Sequence, residues 1–196
     1  DLGPLDFEAI AAQQIAPGVT DDGSGTAAVM ELARVMSQYR FDKTIVFLAF
    51  AAEEIGLSGS QTYAAMAKRR GMQIEAVLNN DIIGSDVSGN GRSASSVVRL
   101  FAAGPEDSPS RELGRYMQQI AERFVPSMRV EMVFRQDRFM RGGDHTPFLN
   151  QGFPAVRLTT ASENFKNQHS ITDTFANTSI PYTTRVARIN AATLAS

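Results

Sequence analysis

The sequence of 196 residues contains no cysteine and only two histidines, His145 and His169. Disulfides and thiolate metal sites are therefore excluded, and any metal must take oxygen and imidazole ligands. No apolar run approaches the roughly 18 residues of a membrane span. A net charge of −2 without blocks of like charge argues against nucleic acid as the main partner. The 43% hydrophobic content fits a single globular domain over residues 1–196.

Hydrophobic periodicity predicts strands that alternate with helices. Residues 1–20 are predicted to be mostly loop. Apolar positions at three- and four-residue steps predict helices over 26–39, 58–70, 110–124 and 181–195, with a short helix over 144–152. Apolar runs predict strands over 43–51, 74–84, 96–104, 128–134 and 153–160. This alternation predicts an α/β fold, with a mostly parallel sheet and helices on both of its faces.

Acidic residues follow two of the predicted strands at the point where each strand ends. Glu53 and Glu54 come after the strand that ends near residue 50, and Asp81 follows the strand that ends near residue 78. Asp21 precedes the first helix, and His169 lies in a loop after the last strand. Sites of open α/β sheets form at the carboxyl ends of strands, so these side chains are predicted to meet at one rim.

Each of these residues also has a simpler explanation. An aspartate before a helix often caps it, paired glutamates often begin an exposed helix, and a loop histidine is often a surface residue. Asp81 fits such an explanation least, because it lies between apolar residues, where an unpaired carboxylate is costly. Crowded carboxylates raise one another's pKa, and a divalent cation removes that conflict. Aspartate, glutamate and histidine suit zinc, or a harder ion such as manganese or cobalt.

Five segments carry a resemblance to a known family. They are APGVTDDGSG (16–25), FLAFAAEEIGLSGS (47–60), LNNDIIG (78–84), RGGDHTPFLNQGFPAVR (141–157) and NQHSITDT (167–174). In this order they resemble the M28 family of co-catalytic zinc aminopeptidases. The resemblance implies a zinc-exopeptidase α/β/α sandwich that holds two divalent metal ions, expected to be zinc.

The same resemblance implies a role for each residue at the rim. Asp21 bridges the two ions, Glu54 binds one of them, and Asp81 and His169 bind the other. Glu53 is then the general base that takes a proton from the attacking water. The implied reaction is hydrolysis of the N-terminal peptide bond of a peptide with a free N-terminus. The implied location is secreted or periplasmic.

Four further residues are expected close to this site. Asp144 and His145 are of residue types that can bind a metal ion. The family pattern nevertheless places them beside the site, in structural or substrate-pocket roles. Asp144 is also expected to cap the helix that follows. Arg141 is expected to orient that loop or a substrate carbonyl, and Asp173 to hydrogen-bond near His169.

The family has one more ligand, a histidine in an H-x-D segment before the bridging aspartate. Residues 1–20 contain no histidine, so the metal site assigned to Glu54 is incomplete in this chain. The family's N-terminal strands are also absent. We expect the chain to be the C-terminal part of the catalytic domain, with the missing segment in the same precursor or in a second chain. The alternative is a protein that has lost the ligand and binds one ion or none.

Other functions stay open at this stage. A carboxypeptidase or dipeptidase has the same fold, and a glutaminyl-cyclase-like transferase keeps one zinc and a catalytic glutamate. Asp21 and Asp81, together with Glu53, favour hydrolysis over cyclisation. A non-catalytic homologue would use the fold for binding, but such a protein has no need of both glutamates together with Asp81 and His169.

Overall fold

Four strands form the central sheet of the computed structural model, which describes residues 17–196. They are β1 (Val77–Asn80), β2 (Val97–Ala102), β3 (Arg129–Val133) and β4 (Ala155–Thr160). Their order across the sheet is β1-β4-β2-β3. The β1–β4 and β2–β3 pairs are parallel, whereas β2 and β4 are antiparallel. The prediction of a mostly parallel sheet is confirmed.

Helices cover both faces of this sheet. They are α1 (Ser24–Met36), α2 (Ser58–Arg69), α3 (Pro109–Phe124), α4 (His145–Asn150) and α5 (Ile180–Ala195), with a π-type turn at Val19–Gly23 and a 3-10 turn at Phe175–Asn177. One hydrophobic cluster joins α1, α3 and α5 to Val156 and Leu158 of β4. A second cluster joins α2 and α4 to Ala155, whose side chain lies on the opposite face because strand residues alternate. The result is the expected α/β/α sandwich.

The end of β1 is held by close contacts with α1 and α5. A Cβ atom on Gly25 would lie 2.2 Å from the carbonyl oxygen of Asn80, so this approach of α1 requires glycine. The side-chain amides of Asn80 and Asn190 donate to each other across 3.2 and 2.8 Å in the buried core. These contacts determine where the chain leaves β1, directly before Asp81.

Most predicted elements are present, with ends shifted by a few residues. The exception is the strand predicted over 43–51. Within the described residues, this run forms no strand and is not part of the sheet. It packs through single side chains instead: the Phe50 ring lies 5.9 Å from Tyr63 and 6.0 Å from Phe148. Apolar composition favours a strand, but a strand forms only where a neighbour accepts its hydrogen bonds.

Two other predictions concern the chain ends and the membrane. The loop predicted over 1–20 lies mostly outside the described residues. None of the helices within residues 17–196 combines the length and the hydropathy that a bilayer crossing requires.

Candidate metal centre

Asp21 lies in a turn that Asp173 anchors. The buried carboxylate of Asp173 accepts hydrogen bonds from Thr20 N at 3.0 Å and from Asp21 N at 2.9 Å, and also from the Thr20 hydroxyl. Asp173 was expected to bond near His169. The structure places it on the backbone of Asp21 instead, where the turn leaves unpaired N–H groups. Its contacts therefore set the position of Asp21.

Asp22, which the sequence did not single out, faces inward. Its Oδ1 accepts hydrogen bonds from Gly25 N at 3.0 Å and from Ile82 N at 3.1 Å. Burial, followed by the nearby charge of Asp81, raises the pKa of Asp22 well above its usual range. The turn before α1 is thus tied to the residue that follows Asp81.

Glu53 and Glu54 lie in one tight turn. The Glu53 carbonyl accepts hydrogen bonds from Gly56 N at 3.1 Å and from Leu57 N at 2.9 Å. The Glu54 side chain is 57% exposed and reaches His169, whereas Glu53 is half-buried. Burial, with the charges of Asp81 and Glu54, raises the pKa of Glu53 to about 7.

Three of the predicted residues converge on one point. His169 Nε2 lies 3.1 Å from Asp21 Oδ2 and 3.0 Å from Glu54 Oε1. One ligand atom from each of these side chains lies within 4.8 Å of the other two. Two carboxylate oxygens and one imidazole nitrogen at this spacing form a donor set that fits zinc. Burial and the charge of Glu54 raise the pKa of Asp21, a conflict that a cation would relieve.

This grouping differs from the expected one. The sequence interpretation assigned Asp81 to the same ion as His169 and Glu54 to the other ion. In the structure, His169 meets Glu54, whereas Asp81 Oδ2 lies 3.1 Å from Arg157 Nη2. Asp81 is 8% exposed, and its burial raises its pKa to about 6, although Arg157 opposes the shift. Asp81 is therefore paired with the buried guanidinium of Arg157.

All five residues predicted at the rim line a single cleft of about 210 Å³. Its other lining residues are Leu57, Ile82, Arg138, Met140, Arg141, Gly142 and Gln168. Arg141 therefore lies at the cleft, as the sequence suggested. Asp144 and His145 are not among the lining residues, so a direct pocket role for these two side chains is not supported.

His145 belongs to the interior, whereas Asp144 is only partly buried. His145 is fully buried, and its Nε2 lies 2.8 Å from the carbonyl oxygen of Gln136. Burial lowers the pKa of His145 to about 4. Asp144 does not cap α4 through its side chain, and that expectation is wrong. Its backbone already has helical angles (φ −62°, ψ −14°), whereas a capping residue needs extended ones.

Left-handed backbone conformations gather at the cleft. Within residues 17–196, five non-glycine residues have positive φ, namely Ala52, Leu57, Ile82, Met140 and His169. Four of them line the cleft, and Ala52 precedes Glu53. Such conformations are unfavourable for residues with a Cβ atom and concentrate at functional sites. No sequence pattern indicated them.

Sequence reasoning also missed the buried charges that surround Asp81. Arg157 is 0% exposed, and its Nη1 lies 2.7 Å from Asp137 Oδ2. Glu163 pairs with Arg138 nearby. One signal was present: Arg157 is a charged residue inside the apolar strand AVRLTT, where a lone charge would be costly and therefore calls for a partner.

A three-layer α/β fold with carboxylates and one imidazole converging at a cleft defines a candidate metal-dependent hydrolase. The family model of peptidase family M28 matches residues 6–194, and the chain belongs to this family. A probable zinc metalloprotease of Leptosphaeria maculans is 40% identical over 206 residues, which cover 91% of this chain and 48% of that protein. The chain thus spans about half the length of this relative.

Solved structures show the same fold. An aminopeptidase from Aneurinibacillus sp. strain AM-1 is 26% identical, with a TM-score of 0.72 over 92% of this chain and 40% of that one. A zinc aminopeptidase from Bacillus subtilis is 23% identical, with a TM-score of 0.73 over 92% of this chain and 42% of that one. The second likeness supports the fold alone.

The contacts of Asp173 predict the effect of replacing it. Asp173→Asn keeps one acceptor oxygen but turns an NH2 group toward backbone donors, so the free energy of unfolding should fall by about 1–3 kcal/mol. Zinc affinity should also fall, by about tenfold, because the Asp21 turn loses its anchor. Urea unfolding and zinc titration of the full-length protein measure both effects. The exposed Asp107→Asn is the control, and matching values in the two variants would contradict the anchoring role.

The pKa of His145 predicts how stability depends on pH. Between pH values of about 6.5 and about 4, His145 binds a proton in the unfolded chain but not in the folded protein. The free energy of unfolding should therefore fall as the pH drops through this interval, with a contribution of roughly 3 kcal/mol from His145. His145→Gln should remove that contribution and retain a donor to the Gln136 carbonyl.

The measurement is the free energy of unfolding in urea, at several pH values, for the parent and for His145→Gln. A chelator keeps both proteins free of metal, so that loss of a bound ion does not contribute to the pH dependence. Carboxylates with raised pKa values act in the opposite direction, but the parent and His145→Gln share them. The difference between the two profiles thus reports His145. Parallel profiles would show that His145 is not buried in its neutral form.

Proposed function

We propose that the protein is a metal-dependent exopeptidase, and specifically an aminopeptidase. The observation that carries this proposal is the convergence of Asp21, Glu54 and His169 beside Glu53 in one cleft. Membership of family M28 and the similarity to a solved aminopeptidase support it. The secreted or periplasmic location stays a prediction of the family resemblance.

Two ions, proposed to be zinc, would share the cleft. Asp21, Glu54 and His169 would hold the first, which we call the first ion. Asp21 and Asp81 would hold the second ion, with a further ligand from outside residues 17–196. Bound zinc supplies a water of lowered pKa and a Lewis acid that polarises the peptide carbonyl.

Glu53 is proposed to move the proton. Its half-buried carboxylate lines the cleft and sits next in sequence to Glu54. From there, a Glu53 carboxylate oxygen would take a proton from the attacking water and pass it to the leaving amine. Glu54, in the turn that begins at Glu53, faces His169, and Glu53 would serve this transfer.

A carboxylate that binds no ion would favour a substrate with a free N-terminus. Four carboxylates line the cleft, namely Asp21, Glu53, Glu54 and Asp81. Two bound Zn²⁺ ions would balance their summed charge, so the α-ammonium group of a peptide would be attracted to Glu53, the one carboxylate that is not a proposed ligand. One observation favours a second candidate: Arg141, whose side chain is exposed, also lines the cleft and would suit the carboxylate of a dipeptide.

Substrate choice separates these candidates. The full-length protein should release chromophore from aminoacyl substrates but not from their N-acetylated counterparts, because blocking removes the ammonium group. A chelator should abolish this release, and added zinc should restore it. The measurement is absorbance with time for each substrate pair. Equal rates on blocked substrates would refute the aminopeptidase, whereas cleavage restricted to free dipeptides would favour the dipeptidase.

The general base is tested by Glu53→Gln. This change keeps the size of the side chain but removes its ability to accept a proton, so kcat should fall by about 10²- to 10⁴-fold. The zinc content should stay the same, because Glu53 is not a proposed ligand. Glu75→Gln, an exposed glutamate outside the cleft, serves as the matched control. A Glu53→Gln variant with the activity of the parent would refute the assignment.

A further inference from the structure

His169 has a strained backbone and few contacts that orient its ring. Its φ is 56°, a left-handed conformation that is unfavourable for a residue with a Cβ atom. Its contacts with Asp21 and Glu54 both use Nε2, the nitrogen proposed to bind the first ion, and 47% of its side chain is exposed. A conformation of this kind persists only where the surrounding structure holds it. The position of the imidazole therefore depends on what fixes the loop that carries it.

This loop spans residues 161–174, between β4 and the 3-10 turn, and we call it the His169 loop. Within this range, the only buried residues are the acidic Glu163 and Asp173, one on each side of the histidine. The large apolar residues Phe165 and Ile171 are instead 65% and 60% exposed, which reverses the usual pattern. Burying a carboxylate costs free energy, and apolar residues of similar volume often stabilise a fold as well or better. Stability alone therefore does not account for the two buried acids.

The two buried acids hold the His169 loop before and after the histidine. Asp173 accepts a hydrogen bond from Asp21 N at 2.9 Å. Glu163 Oε2 accepts one at 3.3 Å from the side-chain amide of Gln168, which directly precedes His169. An ionised carboxylate only accepts hydrogen bonds, so the NH2 group of Gln168 must face Glu163. This contact restricts the residue next to the imidazole ligand.

Glu163 is itself held by buried charges that lead back to the sheet. Its Oε2 also accepts a hydrogen bond from Arg138 Nη1. Arg138 Nε lies 3.2 Å from Asp137 Oδ1, and Asp137 Oδ2 accepts a hydrogen bond at 2.7 Å from Arg157 Nη1 of β4. Hydrogen bonds between charged groups are stronger than those between neutral groups. Side chains of alternating charge therefore connect the His169 loop to β4.

We propose that Glu163 is a positioning residue that holds His169, through Gln168, where it binds the first ion. This inference rests on the proposed function. The donor set for the first ion lies within the described residues, since one ligand atom each of Asp21, Glu54 and His169 lies within 4.8 Å of the other two. Groups that orient a metal ligand contribute about 10- to 100-fold to metal affinity. Because Glu163 acts through Gln168 and not on the imidazole itself, we expect a contribution near the lower value.

Glu163→Gln and Gln168→Met test the two sides of this contact. The first removes the charge of Glu163 at constant size, and the second removes the donor but keeps a side chain of similar length. The full-length protein is stripped of metal and titrated with Zn²⁺ against a chromogenic chelator, and the binding step that His169→Ala removes identifies the first ion. We expect either substitution to lower the affinity for the first ion about tenfold, and the affinity for the second ion less than about threefold. Gln168 is partly exposed, so its replacement tests the inference even if Glu163→Gln does not fold.

The double variant tests whether Glu163 acts through Gln168. Two independent contributions would multiply to a loss of about 100-fold, whereas a shared route predicts a loss of about tenfold, no larger than that of Glu163→Gln alone. Visible absorption of the Co²⁺-loaded proteins provides a second readout. A displaced imidazole changes the ligand geometry of the first ion, whereas a loss of stability elsewhere in the fold does not.

Glu106→Gln is the control, because Glu106 also pairs with arginines but is exposed and is not among the residues that line the cleft. It should leave both affinities unchanged. Unchanged affinity for the first ion in either single variant would overturn the inference, as would an equal loss of both ions or a loss of about 100-fold in the double variant. A parent protein that binds no zinc, or hydrolyses no aminoacyl substrate, would instead count against the proposed function. Measurements on the parent thus separate the two failures.

Discussion

The organisation of this cleft depends on how crowded carboxylates at the end of β1 are compensated. Burial and mutual repulsion raise the pKa values of Asp21, Asp22, Glu53 and Asp81. Three of the four have partners of different kinds. Backbone N–H groups donate hydrogen bonds to Asp22, the guanidinium of Arg157 pairs with Asp81, and the imidazole of His169 lies next to Asp21. A bound cation would complete this compensation, which explains why the acids are tolerated together.

Two pairs of adjacent acidic residues, Asp21 with Asp22 and Glu53 with Glu54, share one arrangement. In each pair, one carboxylate contacts His169 and the other does not. Asp21 faces His169 while Asp22 binds the backbone of Ile82. Glu54 faces His169 while Glu53 stays half-buried near the charge of Asp81. Tight turns make this separation possible, and the left-handed residues around the cleft are its conformational cost.

Much of the fold could be predicted, because periodicity and composition are local. The helices and three of the five predicted strands emerged nearly as expected, and the second strand was shorter. The strand predicted over 43–51 does not form, because a strand needs a neighbouring strand for its backbone hydrogen bonds, and the composition of the run does not reveal whether one is present. At the site, residue types and chain order placed five side chains in one cleft. They did not predict which carboxylate meets His169, since that depends on how the loops pack.

The sequence by itself determined which atoms are available: oxygen and imidazole ligands without thiolates, and acids at the ends of apolar strands. The tertiary structure decided which partner each of these side chains contacts. Arg157 of β4 comes next to Asp81 because β4 pairs with β1. Asp173 reaches the Asp21 turn from more than 150 positions away. Contacts at such distances arise from packing, so local patterns do not reveal them.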